Sequence, residues 1–171
     1  MSWKLDVIII NQRYAKPITE ITKDLGLGES RILRKSTLGT EIESENLCVG
    51  FYDGKTIVTQ QGISMLFFDE RPGVMEKAFY NLFPESEILV QGVHENVGIQ
   101  GFSFIRNGQR VRTKLVGEEE GPILDYGSKL DEEGVSNFFD LCFDISKKMI
   151  GRSIIDKSVL KTGMYVLELK K

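Results

Sequence analysis

Two dipeptides constrain this chain more than any other feature. Asp53-Gly54 and Asn107-Gly108 each sit between runs of alternating apolar residues. Such pairs accept the positive φ angles of a two-residue turn, whose twist matches that of paired strands. The chain is therefore committed to antiparallel hairpins, one over Leu47–Gln61 and one pairing Val97–Ile105 with Gln109–Val116. In the second, a loop at Asn107-Gly108 sets Arg106 opposite Gln109, Phe104 opposite Val111 and Phe102 opposite Thr113. This register assigns Phe102, Phe104, Val111 and Leu115 to a core face. It assigns Gly101, Ser103, Ile105, Arg110, Arg112 and Lys114 to the other face, and a slip of one residue would exchange the two.

Further strands are expected over Trp3–Asn11, Glu87–Glu95 and Met164–Leu169. The unbroken β-branched run Val7-Ile8-Ile9-Ile10 marks the first of these as buried on both faces. Helical spacing of apolar residues predicts helices over Pro17–Leu25, Val74–Phe83 and Val135–Ile150. The last should pack on the core face of the second hairpin. Residues 26–46 mix Gly, Ser, Thr and charge, and predict a long loop with a short strand or two. Asp125-Tyr126-Gly127 reads as a turn-like connection, with Asp131 as the candidate cap of the helix that follows. The expectation is a single α+β domain spanning 1–171, a mainly antiparallel β-sheet with hairpins, covered by two or three helices.

A chain of 171 residues can bury a core without disulfide or metal staples. The net charge of −3 argues against indiscriminate nucleic-acid binding, which needs a strongly basic face. Cys48 and Cys142 read as small buried hydrophobes. Lys4 and Asp6 interrupt the start where a secretory leader would be apolar, and the longest apolar runs fall far short of the ~20 residues a membrane helix needs. These features predict a cytoplasmic protein with no membrane and no nucleic-acid partner. With one histidine and two cysteines, no structural zinc site is expected. No cofactor is expected either: Gly26-Leu27-Gly28 lacks the spacing of a phosphate or dinucleotide loop.

Two groups of side chains are candidates for chemistry. His94, ending a strand, is the candidate acid–base residue, although Glu95 beside it should point to the opposite face. Glycines 92, 98 and 101 nearby permit bulges or a close approach. Arg110, Arg112 and Lys114 on one strand face, with Arg106 at the turn, form a basic stripe suited to an anion or an acidic partner. Asp125 has no partner fixed by sequence.

Asp69-Glu70-Arg71-Pro72, a strand ending in His94, Phe102, the turn with Gly108, Arg112, and Asp125-Tyr126-Gly127-Ser128-Lys129-Leu130 form a pattern over about residues 67–133. In it, Gly108 precedes Arg112 as Gly-x-x-x-Arg, and Gly127 precedes Leu130 as Gly-x-x-Leu. The pattern resembles a family of uncharacterised bacterial proteins of unknown function. The resemblance implies a shared α+β fold and no activity.

With no complete catalytic constellation, the leading expectation is a non-catalytic binding, interaction or regulatory module. Its partner would be a protein or an anionic small molecule. The alternative is a small-molecule enzyme in which His94 moves a proton and Arg110 or Arg112 holds an anionic substrate.

Overall fold

The computed structural model describes residues 2–134 and 137–171. Nine strands form one sheet: β1 (Lys4–Ile10), β2 (Ser30–Thr37), β3 (Leu47–Tyr52), β4 (Lys55–Thr59), β5 (Glu87–His94), β6 (Ile99–Arg106), β7 (Gln109–Gly117), β8 (Gly121–Gly127) and β9 (Gly163–Leu169). Their spatial order is β2-β9-β3-β4-β1-β5-β6-β7-β8, and every neighbouring pair is antiparallel. The helices are short: α1 (Glu20–Asp24), α2 (Leu38–Glu41), α3 (Val74–Leu82), α4 (Phe138–Asp144), α5 (Lys147–Ile150) and α6 (Lys157–Leu160). Among the described residues, no helix is long and apolar enough to cross a membrane.

Strand β1 lies at the centre of the sheet, which accounts for its unbroken apolar run. Leu5, Val7 and Ile9 join a first buried cluster with Leu89, Phe102, Phe104 and the α4–α5 residues Leu141, Phe143 and Met149. Ile8 and Ile10 join a second cluster on the other face, with Ile88, Ile105, Leu115 and the side chains Ile21, Phe67, Phe79 and Phe83. Both turn dipeptides adopt the left-handed conformation expected of them, with φ of +48° and +73° at Asp53 and Gly54, and +50° and +68° at Asn107 and Gly108.

The register of the second hairpin differs from the sequence expectation. Arg106 faces Gln109 as the turn requires, but a bulge at Val111 shifts the pairing beyond it. Phe104 therefore opposes Arg112 rather than Val111, and Phe102 opposes Lys114 rather than Thr113. A bulge adds one residue to one strand, so residues two apart no longer share a face. Arg112 and Lys114 move to the Phe102–Phe104 face, while Arg110 and Leu115 lie on the opposite one. The basic stripe is thus divided, and Leu115 packs in the second cluster rather than with Phe102.

Several further expectations are corrected. The helix over Val135–Ile150, whose first two residues lie outside the described residues, is broken into α4 and α5. The Cys142 and Phe143 carbonyls at the break accept Gln91 Nε2 of β5, at 2.8 and 3.3 Å, and Phe143 also accepts the Ser146 and Ser153 hydroxyls. Carbonyls held sideways by the sheet are poorly placed to continue a helical ladder. Asn137, not Asp131, caps α4, its side chain accepting the Asp140 N–H at 2.9 Å. Asp125-Tyr126-Gly127 is the end of edge strand β8, not a turn. Residues 26–46 hold an eight-residue strand, β2, followed by α2, whose Leu38 is fully buried. The first helix is shorter than the Pro17–Leu25 span.

Gly121 and Gly127 bound β8, both with positive φ (+71° and +83°). A methyl group at Gly121 meets open space, whereas at Gly127 it runs into the Val111 carbonyl. Gly121→Ala should therefore cost about 1–2 kcal/mol, the left-handed backbone term alone. Gly127→Ala should cost about 2–4 kcal/mol, since backbone overlap adds to it. Urea denaturation of the two variants checks this, and equal losses would refute the close approach.

Candidate functional site

His94 does not stand free. Its Nε2 lies 3.0 Å from the Asp6 carboxylate of β1, on the second face of the sheet. Asp6 is almost fully buried. Its remaining valences are met by the Gly62 N–H at 2.9 Å and the Ser64 hydroxyl, both in the short 3-10 turn that covers this end of the sheet. Gly92 of β5 makes the cover possible, since a side chain there would collide with Ser64 and Phe68.

Burial alone would push the Asp6 carboxyl up, but hydrogen bonds from His94, Ser64 and Gly62 outweigh it and hold the group below its ordinary value. The same hydrogen bond to Asp6 raises His94 above its ordinary value, against partial burial. The arrangement is a carboxylate-anchored imidazole whose protonated form is favoured over that of a free histidine. The Ser64 hydroxyl binds the carboxylate rather than the imidazole, so His94 does not activate it as a nucleophile.

The arginines lie elsewhere. Through Ile105 and Ile88, Arg110 aligns with the start of β5, and His94 is at that strand's other end, about 20 Å away at the usual strand rise. The structure therefore does not bring His94 together with Arg110 or Arg112. Arg110 forms a bidentate pair with Glu76 of α3, at 2.8 and 2.6 Å, and also donates to the carbonyls of Asp69 and Phe67. Glu76 is fully buried and also accepts the Tyr80 hydroxyl. On the opposite face, Arg112 is fully buried too. It donates twice to Glu133, at 2.8 and 2.7 Å, once to Asp125, and to the carbonyls of Tyr126 and Gly127. Both guanidiniums are pushed further above their ordinary range, chiefly by their hydrogen bonds to Glu76 and Glu133.

Lys114 lies 4.0 Å from Glu133 and over the Phe138 ring, and Arg106 pairs with Glu87 at 2.9 Å on the surface. Each of the four stripe cations thus has an internal carboxylate. Sequence reasoning missed these acidic partners, though two left a signal. Asp6 interrupts an apolar strand, and Glu76 precedes Phe79 and Tyr80 by three and four residues, which places it on the inner side of α3.

Among the described residues, no group of three or more His, Cys, Asp or Glu side chains could hold a metal ion. Cys48 and Cys142 are both buried and unpaired, and burial raises both thiols. Comparison with protein-family models, with characterised proteins and with solved structures finds no match to this chain.

The two stations give separate predictions. His94 has its folded value raised above the ordinary 6.5, so its stabilisation is complete below that pH and disappears as pH rises through the raised value. Asp6, lowered from 3.8, contributes above that pH and loses its contribution as pH falls through the lowered value. His94→Gln should therefore cost about 1 kcal/mol between these limits and less in alkali. Melting temperatures of both proteins at pH 5.5 and 9 read the difference, and a gap that widens in alkali contradicts the pairing. At the second station, Arg110→Met strands the Glu76 carboxylate and should cost about 3–5 kcal/mol. Adding Glu76→Leu should restore most of it, a coupling that denaturant titration of the double-mutant cycle measures.

Proposed function

We propose that this chain is a non-catalytic binding or regulatory module of the cytoplasm, acting on a protein or an anionic small molecule. One observation carries the reading. The side chains a catalyst would need free are committed inside the fold: His94 to Asp6, Arg110 to Glu76, and Arg112 to Glu133 and Asp125. A side chain whose hydrogen-bonding capacity is already filled contributes rigidity rather than chemistry. The architecture that supports such a role is an antiparallel sheet covered by helices, a reading drawn from the two apolar clusters on its faces. Membership of the bacterial family it resembles is also proposed. Its support is that Arg112 and Asp125, distant members of the shared pattern, meet in an ion pair.

The enzyme reading keeps one observation in its favour. A carboxylate orients the His94 imidazole, as it would in an acid–base residue, and the ring retains 19% exposure. Its anionic substrate would have to be held by groups other than Arg110 and Arg112.

Affinity isolation from the native host separates the two. The binding reading expects the same bound component on the wild type and on folded His94→Gln, in equal yield. A lone monomer with nothing bound would count against it, as would turnover of an anionic metabolite abolished by His94→Gln.

A further inference from the structure

We infer that a cleft on the second face of the sheet, lined by Arg13, Lys35, Phe51 and Tyr165, is a binding site for the phosphate group of a small organic phosphate. The inference rests on the reading of the chain as a binding module and names the ligand class and the place.

The cleft has a volume of about 300 Å³ and spans β2, β9 and β3. That volume is at the lower end for small-molecule sites and suits a compact ligand. Its floor follows from the register. Tyr165 of β9 stands between Lys35 of β2 and Val49 of β3, so Phe51, two residues on, is its diagonal neighbour on the same face. Gly163 adds no side chain, and the space above it is open. Both rings are half-buried against the second apolar cluster.

The two cations rest on aromatic rings without a carboxylate, whereas the other ring-stacked cations, Arg106, Lys114 and Lys148, each have one as well. Arg31, Arg34, Arg106, Arg110, Arg112 and Arg152 each have a carboxylate within ion-pair distance. Among the described residues, Arg13 has no ion pair and its guanidinium makes no hydrogen bond. Its Cζ instead lies 3.9 Å from the Phe51 ring centroid. A guanidinium resting on a ring by one face keeps its in-plane N–H donors available, which is the geometry that meets a phosphate. Lys35 Nζ lies 5.5 Å from the Tyr165 ring centroid, also without an ion pair among the described residues. Lys35 of β2 and Phe51 of β3 stand on either side of β9, two strand spacings or about 10 Å apart, and their cations line one cleft, so a phosphate seated over Tyr165 and Gly163 lies between them.

Arg13 is also held in place. Thr56, the cross-strand partner of Phe51, accepts the Tyr14 N–H at 2.9 Å and donates to the Gln12 carbonyl at 2.7 Å. These bonds clamp the backbone on both sides of Arg13, and the buried Tyr14 anchors it further. A pre-positioned cation loses less freedom on binding than a free surface side chain. The electrostatic setting is selective as well. No acidic residue lines this cleft, whereas four other clefts carry Glu118–Glu120, Glu20 and Glu29, Glu45 and Glu168, or Glu95 and Glu118. In a chain of net charge −3, an acid-free pair of cations over two rings is a local reversal of sign. Two cations match a phosphate monoester dianion better than a single carboxylate.

The test is a titration of the full chain, at low ionic strength and pH 7.5, with inorganic phosphate, glycerol phosphate, adenosine monophosphate and citrate, followed by amide NMR shifts. Saturable shifts at Arg13, Lys35 and Gly163 are expected with the phosphates. Arg13→Ala and Lys35→Ala should each weaken binding roughly tenfold, and the double variant about a hundredfold. Lys77→Ala, on the exposed side of α3, should leave it unchanged. Arg13→Lys retains the charge without the planar fork and should fall between wild type and Arg13→Ala. Tighter binding of the two organic phosphates than of inorganic phosphate would show the rings contributing. The inference fails if none of the phosphates binds, if citrate binds as well as they do, or if Arg13→Ala and Lys35→Ala bind like the wild type. It fails equally if a single-stranded oligonucleotide, titrated as a fifth ligand, is the only one that shifts these amides. None of these results touches the affinity-isolation experiment, so the site can fail while the binding reading stands.

Discussion

A guanidinium taken out of water keeps its charge and must find acceptors for five N–H groups. Two arginines of β7 meet that demand on opposite faces of one sheet, and much of the periphery is arranged around them. Arg110 draws in α3 through Glu76 and holds the 67–69 segment through its carbonyls. Arg112 gathers the end of β8 and Glu133. The bulge at Val111 lets residues two apart serve opposite sides. Without it both cations would crowd one face, and one set of carboxylates would be left without a counter-charge.

What could be read in advance followed from local rules. Turn chemistry at Asp53-Gly54 and Asn107-Gly108, the apolar run of β1 and the stripes of α3 depend on neighbours in sequence, and each element lies where its residues place it. The failures are tertiary. A bulge leaves no mark in an alternating pattern, because Val111 is as good a strand residue as its neighbours. The break between α4 and α5 comes from Gln91, some fifty residues away, taking carbonyls that the helical pattern assumes are its own. The site residues were legible only as types. His94 was found, but its partner Asp6 lies 88 residues earlier in sequence. The divided stripe turned candidate binding groups into internal ties.

The cations that remain outward-facing over aromatic rings were not suggested by any run of sequence. Arg13, Lys35, Phe51 and Tyr165 come from four separate segments and converge only through strand order. Binding surfaces of this kind follow from topology, and composition averages them away: the chain is acidic overall yet locally basic here.

Strand order has a kinetic side too. Strands β5 to β8 form a meander of neighbouring pairs, and β3 with β4 a hairpin, so these contacts close short loops. Strand β9 instead inserts between β2 and β3, bridging residues more than a hundred positions apart. Closing so long a loop is entropically slow, and such a seam forms late and opens early relative to local pairs. The floor of the Arg13–Lys35 cleft is that seam. A ligand resting across it would be bound only by the closed sheet, and would act as a latch on the longest-range pairing in the molecule.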